Sequence, residues 1–284
     1  MSNEFYIGWQ SKAPDSFSRH VKKMAIVLMA IVIILAVLLS LSQKKFTTGN
    51  FEFGTLTTVQ GFYFSKPVPA LKVVNGKDIF GNLSYITIPL IGYGKFGAEG
   101  VMADIEKEKK ESLDEKEMSL KGTLLYNDGK LLMQIDANDQ PLIEFSHATS
   151  SNMLPVREEL GIQKFRGEIL DPKCYFGVMK PGQGKVHKDC AIRCISGGMP
   201  PMLRVSNAKG EENYYIIVGE DGERMNDQVK DYVAEPVELN ARAVRYDDWI
   251  ILYVNRTDGI KRISGLLMAR PDARVIACAG SCIK

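Results

Sequence analysis

Pro69-Ala70-Leu71-Lys72-Val73-Val74-Asn75 and Pro201-Met202-Leu203-Arg204-Val205-Ser206-Asn207 are one pattern written twice, and the match runs without a gap to Lys77 and Lys209. Upstream, Val59-Gln60-Gly61 answers to Phe165-Arg166-Gly167; downstream, Tyr85-Ile86-Thr87-Ile88 answers to Tyr215-Ile216-Ile217-Val218. Each copy then predicts a helix, over Ala98 to Glu117 (rich in Ala, Glu and Lys) and over Arg224 to Val233. Each closes on a predicted hairpin. The first runs from Leu120 to Ile135 and turns at Asn127-Asp128-Gly129; the second runs from Leu239 to Val254 and turns at Asp247-Asp248. Self-similarity of this kind implies two copies of one structural unit. Strand, strand, strand, helix, strand, strand is the order of the five-stranded OB barrel, whose helix lies between strands three and four. A plain five-strand sandwich is the alternative. The expected fold is therefore mainly β, with two tandem OB-like barrels, each with one helix, over residues 46–140 and 160–256. Between them, residues 137–163 are polar, contain Pro141 and Pro155, and read as a linker. His147 there reads as a surface residue.

The copies differ between their first two strands. Copy one has only Phe62 to Val68. Copy two inserts Asp171-Pro172-Lys173-Cys174-Tyr175, a Gly-rich bridge, and His187-Lys188-Asp189-Cys190-Ala191-Ile192-Arg193-Cys194. The spacing is Cys-x12-His-x2-Cys-x3-Cys. A helix over His187 to Ser196 puts positions 187, 190 and 194 on one face. Gly197-Gly198 then ends that helix, and Pro200-Pro201 prevents its continuation. The bridge from Gly177 to Gly184 lets Cys174 return to the same face. Three sulfurs and an imidazole suit a soft-metal site: zinc, an iron–sulfur cluster or copper. The candidate ligands are Cys174, His187, Cys190 and Cys194, with Cys278 and Cys282 of the tail as additional donors. Other readings of the same residues stay open. In an oxidising compartment Cys174 can form a disulfide with Cys190 or Cys194, and the tail pair can bond to itself. A cysteine nucleophile with His187 as base is a further option, though no third orienting residue stands out. Asp171 and Asp189 can orient His187 as carboxylates behind the ligand; Asp171, ahead of Pro172, reads rather as a turn former.

Gly167-Glu168-Ile169-Leu170-Asp171-Pro172-Lys173-Cys174-Tyr175, followed by Gly-Lys-x-His-x2-Cys-Ala-x2-Cys-Ile-x-Gly-Gly-x-Pro-Pro, resembles a motif of uncharacterised exported or membrane-anchored bacterial small β-barrel proteins. The resemblance covers roughly residues 165 to 255 and, more loosely, the anchor and the first barrel. It implies an exported barrel and says little about chemistry.

Ahead of the barrels, Met24 to Leu41 is apolar but for Ser40. The run is long enough to cross a bilayer with its flanks and too long for an ordinary signal-peptide core. Ser40-Leu41-Ser42 resembles a small-residue cleavage site, but the segment 1–23 makes an unusually long leader for one. We read 24–42 as an uncleaved transmembrane anchor in the lipid bilayer, with His20 a flanking polar residue. Lys12, Arg19, Lys22 and Lys23 precede it and Lys44 and Lys45 follow, which favours a cytoplasmic N-terminus. The expected location is the inner (plasma) membrane, single-pass, with the C-terminal domains periplasmic and other membrane or periplasmic subunits as partners.

Lys plus Arg number 36 against 34 acidic residues among the 284, so the charge gives no case for nucleic acid. The expected function is a membrane-anchored extracytoplasmic metal-binding protein, an accessory or redox-associated subunit of an inner-membrane complex. The alternative is a structural or interaction subunit with disulfide-stabilised barrels and no metal, and an OB-type oligonucleotide or oligosaccharide binder is less favoured than either. Trp249, Tyr246 and Tyr253 read as barrel core or rim in preference to a stacking platform. No haem-attachment motif, phosphate loop, dinucleotide fingerprint or His-Glu-x2-His is present. The tail, residues 257–284, leaves the second barrel, with Arg262 to Leu267 as a candidate edge strand.

Overall fold

The structure is a computed structural model that describes residues 14–42, 49–149, 155–206 and 211–264. The chain divides into two compact units, residues 1–46 and 47–284. The described residues of the first form one helix, α1 (Asp15–Ser42). Its segment Phe17–Ser42 is long and apolar enough to cross a membrane. At about 1.5 Å per residue it extends further than the ~30 Å hydrocarbon layer. Its Ile, Leu, Val and Met side chains are exposed along the whole length. A helix apolar on every side has its natural surroundings in lipid.

The second unit is mainly β. After the short β1 (Asn50–Phe51), its first circuit is built from β2 (Thr57–Phe64), β3 (Ala70–Lys77), β4 (Leu83–Gly92), β5 (Lys116–Asn127) and β6 (Lys130–Ile135). β2 pairs with β3, β3 with β4, β4 with β6, β6 with β5 and β5 again with β2, which closes the sheet into a barrel. All the pairings are antiparallel except β4 with β6, where Leu90 lies opposite Met133. The second circuit has the same connectivity. β8 (Arg157–Leu170), β9 (Met202–Ser206), β10 (Glu212–Gly219), β12 (Trp249–Val254) and β11 (Pro236–Tyr246) pair in that order and return to β8. Again the third and fifth strands alone run parallel, with Tyr215 opposite Ile250. The two matched sequence segments open the equivalent strands β3 and β9. A helix falls between the third and fourth strands of each circuit: α2 (Glu99–Lys109) in the first, and the short α4 (Asn226–Val229) with a 3-10 turn (Lys230–Tyr232) in the second. This is the OB order on both counts.

Three expectations are corrected. α2 stops well short of Glu117, because Lys110 turns left-handed (φ 56) and the chain dives to bury Leu113. The Glu106 carboxylate accepts from Leu113 N at 2.8 Å and holds that exit. Residues 137–163 are not a linker. They contain β7 (Leu142–Thr149), paired to β5, and the first half of the long β8. These strands carry polar residues because one face is open to solvent. The edge strand in the tail is shorter than Arg262 to Leu267 and lies earlier, as β13 (Ile260–Arg262) on β11; residues 265–284, Cys278 and Cys282 among them, lie outside the described residues.

The barrels share a core. Besides the two barrel interiors, a third apolar cluster joins Ile91, Leu125 and Leu132 of the first barrel to Leu170, Met202, Ile216, Trp249 and Ile251 of the second. This is why β12 reads as an unbroken apolar run: both of its faces are buried. The turn Asp247-Asp248 bolts the cluster. Asp247, left-handed at φ 52, accepts from Lys72 Nζ at 3.0 Å and from Thr87 Oγ1 at 3.2 Å. Asp248 accepts from Thr87 N at 2.7 Å and pairs with Lys130 at 3.1 Å. Trp249 Nε1 donates to Thr87 O at 2.9 Å, so the aromatic residue is core and no stacking platform. Tyr246 and Tyr253 are joined through their hydroxyls at 2.7 Å.

Candidate metal centre

The insertion between β8 and β9 folds as two turns facing each other across a gap. The first is a π-helical turn, Cys174–Val178, with Met179 following as its cap. The Asp171 carboxylate starts this turn by accepting from Cys174 N at 2.8 Å. The second is α3 (Lys188–Ser196), preceded by a 3-10 turn ending at His187. It starts one residue later than the spacing suggested. Its end is a Schellman motif: Met199 N donates to Cys194 O at 3.1 Å and Gly198 N to Ile195 O at 3.0 Å, with Gly198 left-handed at φ 102.

These turns bring the expected ligands into two overlapping triplets and not into one set of four. Cys174, His187 and Cys190 offer donor atoms within 4.8 Å of one another, and so do Asp171, Cys174 and Cys194. Cys174 belongs to both triplets and is the pivot. All three cysteines are free thiols. Cys174 Sγ and Cys190 Sγ are 4.0 Å apart. That is about twice a disulfide bond of ~2.05 Å. It is close to the ~3.8 Å between two sulfurs held tetrahedrally at ~2.3 Å from one ion. Cys174, Cys194 and His187 are buried, whereas Cys190 is half-buried and faces the way in.

Asp171 is more than a turn former. It is fully buried, and its second oxygen lies 2.9 Å from His187 Nε2. With Nε2 engaged, Nδ1 is the nitrogen left for an ion, the usual arrangement of a carboxylate behind a ligating histidine. Asp189, the other candidate for that role, is exposed.

Two lysines, neither singled out by the sequence, complete the setting. Lys95 comes from the first barrel, after β4, and donates to Cys190 Sγ at 3.1 Å, with Cys194 Sγ at 4.0 Å. The Lys95 loop lies flat on the end of α3. Gly97 N donates to Gly197 O at 3.1 Å, and a Cβ on Gly197 would stand 1.9 Å from Lys95 O. Only glycine permits that approach. From the other side the buried Lys173 donates to Gly92 O at 2.9 Å and Gly94 O at 2.8 Å. Burial pulls the Lys173 amine down to about 8, although the Cys194 and Cys174 sulfurs oppose the shift. The thiols are polarised against one another. A hydrogen bond with Cys194, then burial and the Asp171 charge, push Cys174 far up; the same bond, against burial and with help from Lys95, pulls Cys194 down. A site with one readily ionised thiol and cations at its rim suits thiolate ligation.

Sequence reasoning also passed over Met179, whose thioether accepts from the Cys190 thiol at 3.6 Å. Compared with protein-family models and with curated proteins, the chain matches none.

Proposed function

We propose that this is a membrane-anchored metalloprotein in which Cys174, His187, Cys190 and Cys194 hold one metal ion outside the cytoplasm, in an accessory subunit of an inner-membrane complex. The convergence of the free thiols Cys174 and Cys190 on a histidine already gripped by a buried carboxylate, with the Cys194 thiol beside Cys174, carries this reading. Thiolates kept together would repel, and an ion both deprotonates and holds them. The apolar helix and the excess of basic residues on its N-terminal side support the orientation. The likeness of the Cys/His insertion to exported barrel proteins, and the two matched strand segments, support a duplicated barrel scaffold of which one copy acquired the site.

The decisive variant is His187→Ala. In full-length protein purified anaerobically in detergent, it is expected to lose most of its bound metal while keeping the parent's circular dichroism. Undiminished metal content and unchanged melting would refute the site. The orientation has its own test in spheroplasts, where added protease should degrade residues 47–284; protection of that segment would place it in the cytoplasm.

One observation favours a second reading. Asp171 supplies the third orienting residue that a Cys–His nucleophile requires. A thiol enzyme of this kind would alkylate fast at one cysteine and carry no metal, so the metal analysis separates the two.

A further inference from the structure

The donor set discriminates among metals. Asp171 is withdrawn from it, since one oxygen is taken by Cys174 N and the other by His187 Nε2. Without it the set has no carboxylate, which removes the hard ions. What remains is three sulfurs and an imidazole, and beside them a fourth sulfur. Met179 follows the turn that begins with Cys174, held there by Met179 N donating to Cys174 O at 3.2 Å. Its Sδ lies 3.6 Å from Cys190 Sγ, near enough for one ion to reach both sulfurs. Met179 is 43% exposed, and Cys190 beside it is only half-buried. The open side of the site is therefore lined by a thiol and a thioether.

Zinc sites are built from thiolate, imidazole and carboxylate, and gain nothing from a thioether. Thiolate donors are shared by cuprous copper, zinc and iron–sulfur clusters, and the thioether is the donor that points to copper among them. Resting on the metal-site reading above, we propose that the bound ion is Cu(I), with Met179 and Cys190 as its outer ligands, Cys174 and His187 as its inner ones, and Cys194 behind Cys174 as the donor that takes over when the ion moves deeper. An ion arriving from solvent meets the Met179–Cys190 pair first and passes inward to Cys174. No change of oxidation state is needed for this step. The thiol proton of each ligating cysteine leaves to solvent as the sulfur–copper bond forms.

The test is competition, under reducing and oxygen-free conditions, between full-length detergent-solubilised protein and a chromogenic Cu(I) chelator, with a parallel titration of Zn²⁺ against a zinc indicator. The parent should withdraw one Cu(I) from the chelator. Met179→Leu, close in volume and still apolar, should weaken Cu(I) at least about tenfold, the lower end of what loss of a ligand's supporting partner costs, and leave Zn²⁺ unchanged. If Met179→Leu leaves Cu(I) binding as it was, or if Zn²⁺ displaces Cu(I) from the parent, the copper assignment falls and the metal site stands. If the parent binds neither ion, the metal site and the copper assignment fall together.

Discussion

Asp247→Ala is expected to destabilise the protein by about 3–5 kcal/mol, the usual cost of removing one partner from a buried ion pair. Asp247 and Lys72 are 6% and 3% exposed at the side chain, so solvent cannot replace the lost carboxylate. The same oxygens also accept from Thr87 Oγ1 and from Val156 N at 3.0 Å, so the substitution loosens both barrels and the start of β8 together. Denaturant unfolding followed by Trp249 fluorescence would measure it, since that ring sits beside the bolt. Pairing the change with Lys72→Met should restore much of the loss, because a well-packed apolar pair often equals a buried ionic one. A single variant within about 1 kcal/mol of the parent, inside the range of an ordinary surface pair, would mean that the bolt does not hold the barrels.

Cys174→Ala should have the largest effect on the metal site. Cys174 alone belongs to both triplets, with His187 and Cys190 in one and with Cys194 and the already engaged Asp171 in the other, whereas Cys190 and Cys194 belong to one each. Its loss leaves neither triplet intact, and metal affinity should fall well beyond the about 10–100-fold seen when a ligand keeps its place but loses its support. Cys190→Ala and Cys194→Ala should each retain measurable binding. The comparison is by metal analysis after dialysis, with thermal melting to confirm that all three variants fold. Equal losses in the three would show that no cysteine is the pivot.

The barrels were legible because their signal is local and repeated. Alternating and β-branched runs, turn residues at 127–129 and 247–248, and a duplicated Pro-x-Leu-x-Val pattern each constrain the same strand order. The helix ends and the segment 137–163 were misread for one reason: composition reports exposure before it reports conformation. A charged stretch after Lys109 and a polar one around His147 are solvent-facing, yet the first is a turn and the second a strand. At the site, Cys174, His187, Cys190 and Cys194 could be grouped because they fall within one short insertion. Lys95 could not, since nothing in a Gly-Lys-Phe-Gly loop 79 residues before Cys174 points to it. Its place depends on Gly97 and Gly197 lying backbone to backbone. Met179 was in plain view but silent, because a methionine in a loop is read as packing until a thiol is found beside it.

Cys174 and Cys190 are separated by 16 positions in the chain, and every other candidate donor among the described residues lies inside or next to that interval. Chelation is therefore available to the unfolded polypeptide as well as to the folded one. An ion bound only by a native protein, at about a hundred times its Kd, adds about 2.7 kcal/mol to stability; binding to the unfolded chain subtracts from that figure. Affinity and stabilisation are thus uncoupled here. An ion can be captured before the fold is complete, and the barrels, whose closure relies on β4–β6 and β10–β12 pairing, can form around it afterwards.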